Sequence, residues 1–320
     1  MWRRPAVGAD ALGAEMIVFI TTAEHQYTHS NLVEEAREVP VRLLTYDQVL
    51  AQPPHAEATY VFTDADRLPA WAVEAAAGLY RRLRDQGNRV LNDPARLLSR
   101  YGLLRRLQRD GFNRFNAYRA EECVAPSRWP VFLRTEGNHG GALTGLLADQ
   151  YALDGAVCEA VARGYPISNL LIVEYVGEEV RPGLFRKMSV FKVGDRLLGY
   201  WCVHQSDWQV KQGTHGIATP ELYEEEFQLV ANDGYADVMA PVFDKAGVDY
   251  GRIDFSLLNG RPQVFEINTN PNIHLSDYNH PSPRRVESCR LFKDKYIAAL
   301  QHLDDAAHAL RGETIAVTQS

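Results

Sequence analysis

The stretch that decides the fold runs from Asp249 to Asn272: D-Y-G-R-I-D-F-S-L-L-N-G-R-P-Q-V-F-E-I-N-T-N-P-N. It reads as two strands joined by a tight turn. Side chains alternate between faces along a strand. Arg252, Asp254 and Ser256 therefore share one face of the first strand, and Ile253, Phe255 and Leu257 share the other. In the second strand Glu266 and Asn268 stand opposite Phe265 and Ile267. A two-residue Asn259-Gly260 turn would pair Asp254 with Phe265 and mix polar with apolar. A three-residue Asn259-Gly260-Arg261 loop pairs Asp254 with Glu266, Arg252 with Asn268 and Ile253 with Ile267. Register follows the burial pattern, so the three-residue loop is expected, with Gly260 in the left-handed region.

That register sets two carboxylates side by side. At ~5 Å and an effective dielectric of ~20, their repulsion is ~3 kcal/mol. A cation or a shifted pKa has to offset it. Hard oxygens from Asp, Glu and Asn suit Mg²⁺, with phosphates completing its shell. A merely solvated hairpin face would more often carry Lys, Thr or Ser, and the apolar opposite face marks a packed sheet. R-x-D-F followed by E-I-N-x-N-P resembles the terminal motif of the ATP-grasp superfamily, whose members include D-alanine–D-alanine ligase, glutathione synthetase and the ribosomal-protein glutamate ligases. The resemblance implies that Asp254, Glu266 and Asn268 hold magnesium on ATP. It also implies that Arg252 steadies the negative charge of the transition state, with Asn270 towards the substrate end.

Working outward, Val131–Arg134 reads as a strand running into the glycine-rich loop Gly137–Gly145. Such loops let backbone amides approach phosphates. By resemblance this is the flexible loop, with Gly140 and Gly141 near phosphate and Arg134 where the family carries lysine. Arg100 stands at the spacing of the second phosphate-binding lysine, ahead of Gly111. Arginine keeps the charge but presents a planar fork in place of a point charge. Arg105 and Arg106 read as a solvated helix face. The segment L-L-I-V-E-Y-V-G-E-E, from Leu170 to Glu179, resembles the adenine linker. It implies backbone contacts to adenine from the Glu174-Tyr175-Val176 turn and a ribose contact from Glu179, with Glu178 as the alternative. Trp208-Gln209-Val210-Lys211, followed by Gly213 and Gly216, resembles another phosphate-side loop, and Lys211 is its cation. Strand alternation lets only one of Arg186 and Lys187 face the site, and Lys187 is the candidate. His139, His274 and His280 could touch phosphate or substrate, or be ordinary loop histidines.

The rest of the chain is consistent with this frame. Residues 1–14 read as a loose extension. Residues 15–93 alternate strands and helices as a β-α-β-β-α-β lobe with a mainly parallel sheet. Asn92-Asp93-Pro94 marks a lobe boundary. Residues 94–170 form a first subdomain with helices at Ala95–Ser99 and Tyr101–Asp110, and residues 171–310 a second, β-rich one ending in a helix near Pro283–Leu303. A polar tail occupies 311–320. The fold class is thus α+β: an ATP-grasp fold with an N-terminal α/β lobe. The 320 residues carry a net charge of −7, which argues against a generic nucleic-acid binder. No apolar run reaches the ~18–20 residues of a membrane span. The four cysteines are scattered without a C-x-x-C pair, so neither a zinc site nor a disulfide framework is expected and a reducing cytoplasm is the default. No P-loop, metalloprotease helix or Ser-His-Asp order is present.

The resemblance implies an ATP- and Mg²⁺-dependent carboxylate–amine (or thiol) ligase. A substrate carboxylate attacks the γ-phosphate, and an amine-type acceptor displaces phosphate from the acyl phosphate. An amino acid or peptide is the family's commonest substrate. Two alternatives stand beside it: a kinase of small-molecule hydroxyls, and a non-catalytic ATP-binding regulator, which the two Lys-to-Arg differences motivate. The oligomeric state stays open, with a homodimer among the options.

Overall fold

A computed structural model of the chain describes residues 16–55, 57–137, 140–273 and 279–318. The extension 1–14, His139 and His274 lie outside the described residues. Strand β1 (Ile17–Thr21) is buried along its whole length, as a strand covered on both faces must be. Helix α1 (Ser30–Glu35) leads to β2 (Val41–Thr45), α2 (Tyr46–Ala51), β3 (Thr59–Phe62), α3 (Ala70–Asp85) and β4 (Arg89–Leu91). The four strands are parallel, in the order β2-β1-β3-β4. Helix α3 packs through Ala72, Ala76, Leu79 and Leu83, a stripe at helical spacing.

Helix α2 is an element the sequence reading lacked. Thr45 caps it: its hydroxyl accepts from the Gln48 amide, and the Gln48 side chain accepts from the Thr45 amide. This reciprocal box is visible in T-x-x-Q. The helix expected at Ala95–Ser99 is instead a turn. Ser99 ends it as the cap of α4 (Arg100–Arg109), accepting from the Gly102 amide at 3.2 Å.

Strands β5 (Ala117–Arg119) and β6 (Val131–Thr135), helix α5 (Gln150–Ala162) and strand β7 (Leu170–Glu174) follow. The strands form an antiparallel sheet in the order β5-β7-β6. Then come β8 (Glu179–Arg181), β9 (Leu184–Val193), β10 (Arg196–Gln205), α6 (Pro220–Ala231), α7 (Ala236–Ala246), β11 (Tyr250–Leu258) and β12 (Arg261–Asn268). The third sheet is antiparallel, ordered β10-β9-β11-β12, with β8 on β9. Helix α8 runs from Pro283 to Thr318, past the end expected at Leu303. No helix among the described residues is long and apolar enough to cross a membrane.

One large core joins the first and third sheets, with Phe19 and Val61 packed into the same cluster as Phe191, Tyr250, Phe255 and Phe292. Asn92 staples the two sheets together. It is fully buried, in the left-handed region at φ 61°, and its side-chain amide donates to Phe62 O (3.0 Å) and Tyr250 O (2.8 Å). Its carbonyl accepts from the amides of Asp249 (2.8 Å) and Tyr250 (3.0 Å). Every polar group of this side chain is satisfied by backbone that would otherwise be unpaired.

Candidate active site

The β11–β12 hairpin aligns Arg252 with Asn268, Ile253 with Ile267 and Asp254 with Glu266. The expected pairs are present, but the expected turn is not. Leu258 pairs with Arg261, so the connection is the two-residue Asn259-Gly260 turn, with φ of 50° and 72°. Those are the left-handed angles a type I′ turn needs. The correct register is restored further along, where Phe255 pairs with Val264 and Asp254 with Glu266. Phe265 is the extra residue of a β-bulge there. The bulge also overturns the face assigned to Phe265, which lines the same cleft as Glu266.

That cleft encloses about 410 Å³ between the second and third sheets. Asp254 is 1% exposed. Arg252 Nε donates to its Oδ1 at 2.7 Å and Nη2 to its Oδ2 at 3.1 Å, Ser189 donates to Oδ1 at 2.9 Å, and Lys187 Nζ lies 3.1 Å from Oδ2. Burial would raise this carboxyl, but Arg252 and Lys187 outweigh it and hold Asp254 below the usual carboxylate range. Glu266 is met by Arg100 in a close ion pair and by Arg134 Nη2 at 3.8 Å. Arg134 is pushed down to about 10 by burial and by Arg100, against the opposing pull of Glu266. Four cations thus surround two carboxylates, leaving positive charge in excess.

Lys187 owes its place to register. Ser189 lies opposite Asp254 across β9–β11, and Lys187 is two residues away on the same face. Arg186 turns instead to Glu225 at 2.8 Å. The glycine loop folds back on β6, with Ala142 bridging Arg134. Lys211 donates to Gly140 O in a close hydrogen bond. Gly141 has φ 107°, a backbone conformation that side-chain-bearing residues rarely adopt, so glycine is favoured there. Opposite these charges the lining is aromatic: Phe132 and Tyr175 flank Trp208 at 5.0 and 5.3 Å, and Phe265 packs 5.9 Å from Phe115. The Tyr175 hydroxyl is buried in this lining with no hydrogen-bond partner among the described residues.

No family model matches the sequence, and no curated protein is detectably similar to it. Solved structures do match. The D-alanine–D-alanine ligase of Bacillus anthracis complexed with ATP superposes with a TM-score of 0.53 at 11% identity, covering 94% of this chain and 100% of that one. The same organism's enzyme in a second structure gives 0.53 at 10% identity, with the same coverage. The chain has the ATP-grasp fold.

The ATP-grasp expectations for individual residues fare differently in the cleft. Arg134, Gly141, Tyr175, Lys211, Arg252, Asp254, Glu266 and Asn268 line it together. Arg100 reaches it through Glu266 while lining the neighbouring cavity. Glu174, Val176 and Glu179 are not part of the lining. The Glu174 carboxylate is buried and fully used, accepting from Tyr118 Oη, Ser127 Oγ and the amides of Asn116, Ser127 and Arg128. Its own amide donates to Asn116 O, and that of Tyr175 to Pro130 O, both near 3 Å. The amide of Val176 has no such partner among the described residues, and its side chain is buried. Glu179 accepts from the Gly183 amide at 2.9 Å, closing a turn. Glu178 lines the cleft and accepts from the Asn259 amide at 2.7 Å. His280 lies in a separate cavity of about 300 Å³, 4.9 Å from the His215 ring.

Ser189, Phe132, Trp208 and Phe265 are cleft residues that sequence reasoning did not select, whereas Lys187, a candidate cation from the sequence, does line the cleft. An isolated aromatic carries no local signal for a ligand. The donor chemistry fits a hard dication: two carboxylates and one amide oxygen on adjacent ladder positions. No cluster of three or more His, Cys, Asp or Glu suited to a metal occurs among the described residues. Further ligands would have to be nucleotide phosphates and water, which is how Mg²⁺ is usually held.

Proposed function

We propose that the chain is an ATP-dependent ligase that activates a small-molecule carboxylate as an acyl phosphate and transfers the acyl group to an amine-type acceptor, releasing ADP and phosphate. The observation that carries this reading is the Asp254–Glu266 pair enclosed by Arg100, Arg134, Lys187 and Arg252 beside an aromatic wall. Excess positive charge suits a polyphosphate, and flat apolar rings suit a base. In this reading Phe132, Tyr175, Trp208 and Phe265 hold adenine, with the backbone of the Glu174–Val176 turn at its edge. Glu178, which lines the cleft, meets the ribose in place of Glu179. Arg134 and Lys211, with Gly140 and Gly141, hold the phosphate tail, and Arg252 steadies charge on the transferring group. Magnesium held by Asp254, Glu266 and Asn268 would neutralise charge on the β- and γ-phosphates. The protein acts by positioning and charge neutralisation, as phosphoryl transfer demands.

A ligase also needs room for its other substrates. A second cavity of about 820 Å³ opens on the other side of the Arg100–Glu266 pair, between the first sheet and the glycine loop. An amino acid or short peptide would fill only part of it. The like-folded D-alanine–D-alanine ligase, solved with ATP, supports the nucleotide assignment.

The test is product analysis with Mg-ATP and pools of amino acids, peptides and hydroxy acids. ADP and free phosphate should rise together with one pool, and Glu266→Gln should lower that turnover at least ~100-fold, the loss usual for a group stabilising the transition state. ADP without free phosphate would replace the ligase reading with a kinase. Tight magnesium-dependent ATP binding without turnover on any pool would favour a regulator.

A further inference from the structure

The 820 Å³ cavity is walled on one side by the loop after β1 and the turn after β3, and on the other by Arg100, Glu136 and Thr269. Three side chains of the first wall form a closed triangle. Thr22 Oγ1 lies 2.8 Å from His25 Nδ1, His25 Nδ1 lies 3.1 Å from Asp64 Oδ2, and Thr22 Oγ1 makes a close hydrogen bond to the same Oδ2. Arg67 Nε pairs with the other carboxylate oxygen at 2.5 Å. Asp64 is 1% exposed, and its backbone is in the left-handed region at φ 61°, uncommon for a residue other than glycine.

The triangle determines where the imidazole proton sits. An ionised carboxylate only accepts. Thr22 has one hydroxyl proton, and its close contact with Asp64 uses it. The Thr22–Nδ1 contact then needs a hydrogen on Nδ1. In the neutral imidazole the lone pair is then on Nε2, which has no hydrogen-bond partner among the described residues. His25 thus lines the cavity with a carboxylate on its Nδ1, the arrangement of an oriented base.

The same triangle is tied to the catalytic hairpin. Immediately after Asn268, the Asp64 amide donates to Thr269 Oγ1 at 3.1 Å. Asn270 Nδ2 donates to His25 O at 3.4 Å and to Thr21 Oγ1 at 3.0 Å, and Thr28 Oγ1 donates to Asn270 Oδ1 at 2.7 Å. The loop carrying the base and the strand end carrying the phosphate-side ligands are held in one hydrogen-bonded unit.

We propose that the His25–Asp64 dyad is the proton acceptor for the second substrate, and that this cavity receives a protonated amine. The proposal rests on the ligase reading. An acceptor amine arrives as an ammonium ion, which has no lone pair for attack. It gives one proton to His25 Nε2. The free amine's lone pair then forms the C–N bond to the acyl carbon. The C–O bond to phosphate breaks, the electron pair leaving on phosphate oxygen, and the second N–H proton departs with the phosphate. Asp64 stabilises the imidazolium through Nδ1–H, and His25 returns its proton to water when the product leaves.

The test separates the two half-reactions with hydroxylamine, a nucleophile that is already unprotonated at neutral pH. Full-length wild type, His25→Gln and Asp64→Asn are given Mg-ATP with pools of amino acids, hydroxy acids and dicarboxylic acids. Hydroxamate formation is followed in one series, and amide formation to the amino acids' own amines in another. Asn tolerates the left-handed backbone at position 64, so the second variant checks the charge without disturbing the turn. Both variants should lose amide formation at least ~100-fold while hydroxamate formation stays within about threefold, since a general base contributes ~10²–10⁴. Retained hydroxamate formation also shows that the variants fold. A parallel loss of both products, or no loss of amide formation, overturns the dyad as proton acceptor. A wild type that makes neither product from any pool overturns the ligase reading, and the dyad's role with it.

Discussion

In the folded protein, burial disfavours the charged form of His29. It is fully buried, its ring 4.4 Å from that of Phe19 and its Nε2 3.3 Å from Tyr250 Oη. Burial pushes its imidazole down from 6.5 to about 3. The unfolded chain binds a proton there below about 6.5 and the folded chain does not until about 3, so this residue's contribution to stability falls as pH falls through that window. The expected outcome is a comparison by urea unfolding at pH 7 and pH 5. The stability advantage of wild type over His29→Gln should shrink by about 2 kcal/mol at the lower pH. An unchanged advantage would show that His29 is accessible to protons. At the same scale, Arg100 and Arg134 were suggested by the resemblance, since each stands where the ATP-grasp family carries a phosphate-binding lysine. Lys187 was a candidate as well, and the pairing of β9 with β11 sets it beside Asp254 while Arg186 turns to Glu225. The use of the Glu174 side chain was not legible. An acid at a strand end looks exposed in sequence, while five donors converge on it from two separate segments of chain.

At the scale of elements, the hairpin reached the right register by a route the pattern of residues did not suggest. Alternation requires Asp254 opposite Glu266, and a three-residue loop would provide that with regular strands. The chain combines a two-residue turn with a bulge at Phe265 instead. The difference has a consequence for the site, because the bulged residue turns its ring into the cleft. Phe265→Ala should therefore weaken ATP binding about tenfold, or ~1.4 kcal/mol, the scale of one aromatic contact, while leaving the melting temperature within a few degrees. Isothermal titration against ATP checks it. Undiminished affinity would remove Phe265 from the proposed adenine wall. Bulges have no reliable signature in one sequence, whereas α2 had one in Thr45 and Gln48.

At the scale of the molecule, helix α8 closes the fold through a buried ion pair. Arg285 and Glu226, 7% and 1% exposed at their side chains, join α8 to α6 in a close contact, and Arg285 also lies 4.6 Å over the Trp201 ring. Removing one partner leaves the other charge buried and unpaired. Arg285→Met should cost about 3–5 kcal/mol by denaturant unfolding, whereas Arg285→Met combined with Glu226→Leu should recover most of that loss. If the double variant is no more stable than the single one, the pair is not the source of the cost. The larger lesson lies in which groups meet. The sequence by itself determined the alternation of apolar and polar residues, and with it the strands, most helices, the hairpin pairing and the cluster of Asp254, Glu266, Asn268 and Arg252. These are local consequences of periodicity and turn chemistry. Only the tertiary structure decided that Lys187 stands over Asp254, that Glu174 is a buried anchor, and that Thr22, His25 and Asp64 form a triangle tied to Asn270. Apart from Thr22–His25 within one loop, these contacts join residues from 39 to 245 positions apart, and nothing in local spacing encodes which side chains the packing of three sheets will bring within hydrogen-bonding distance.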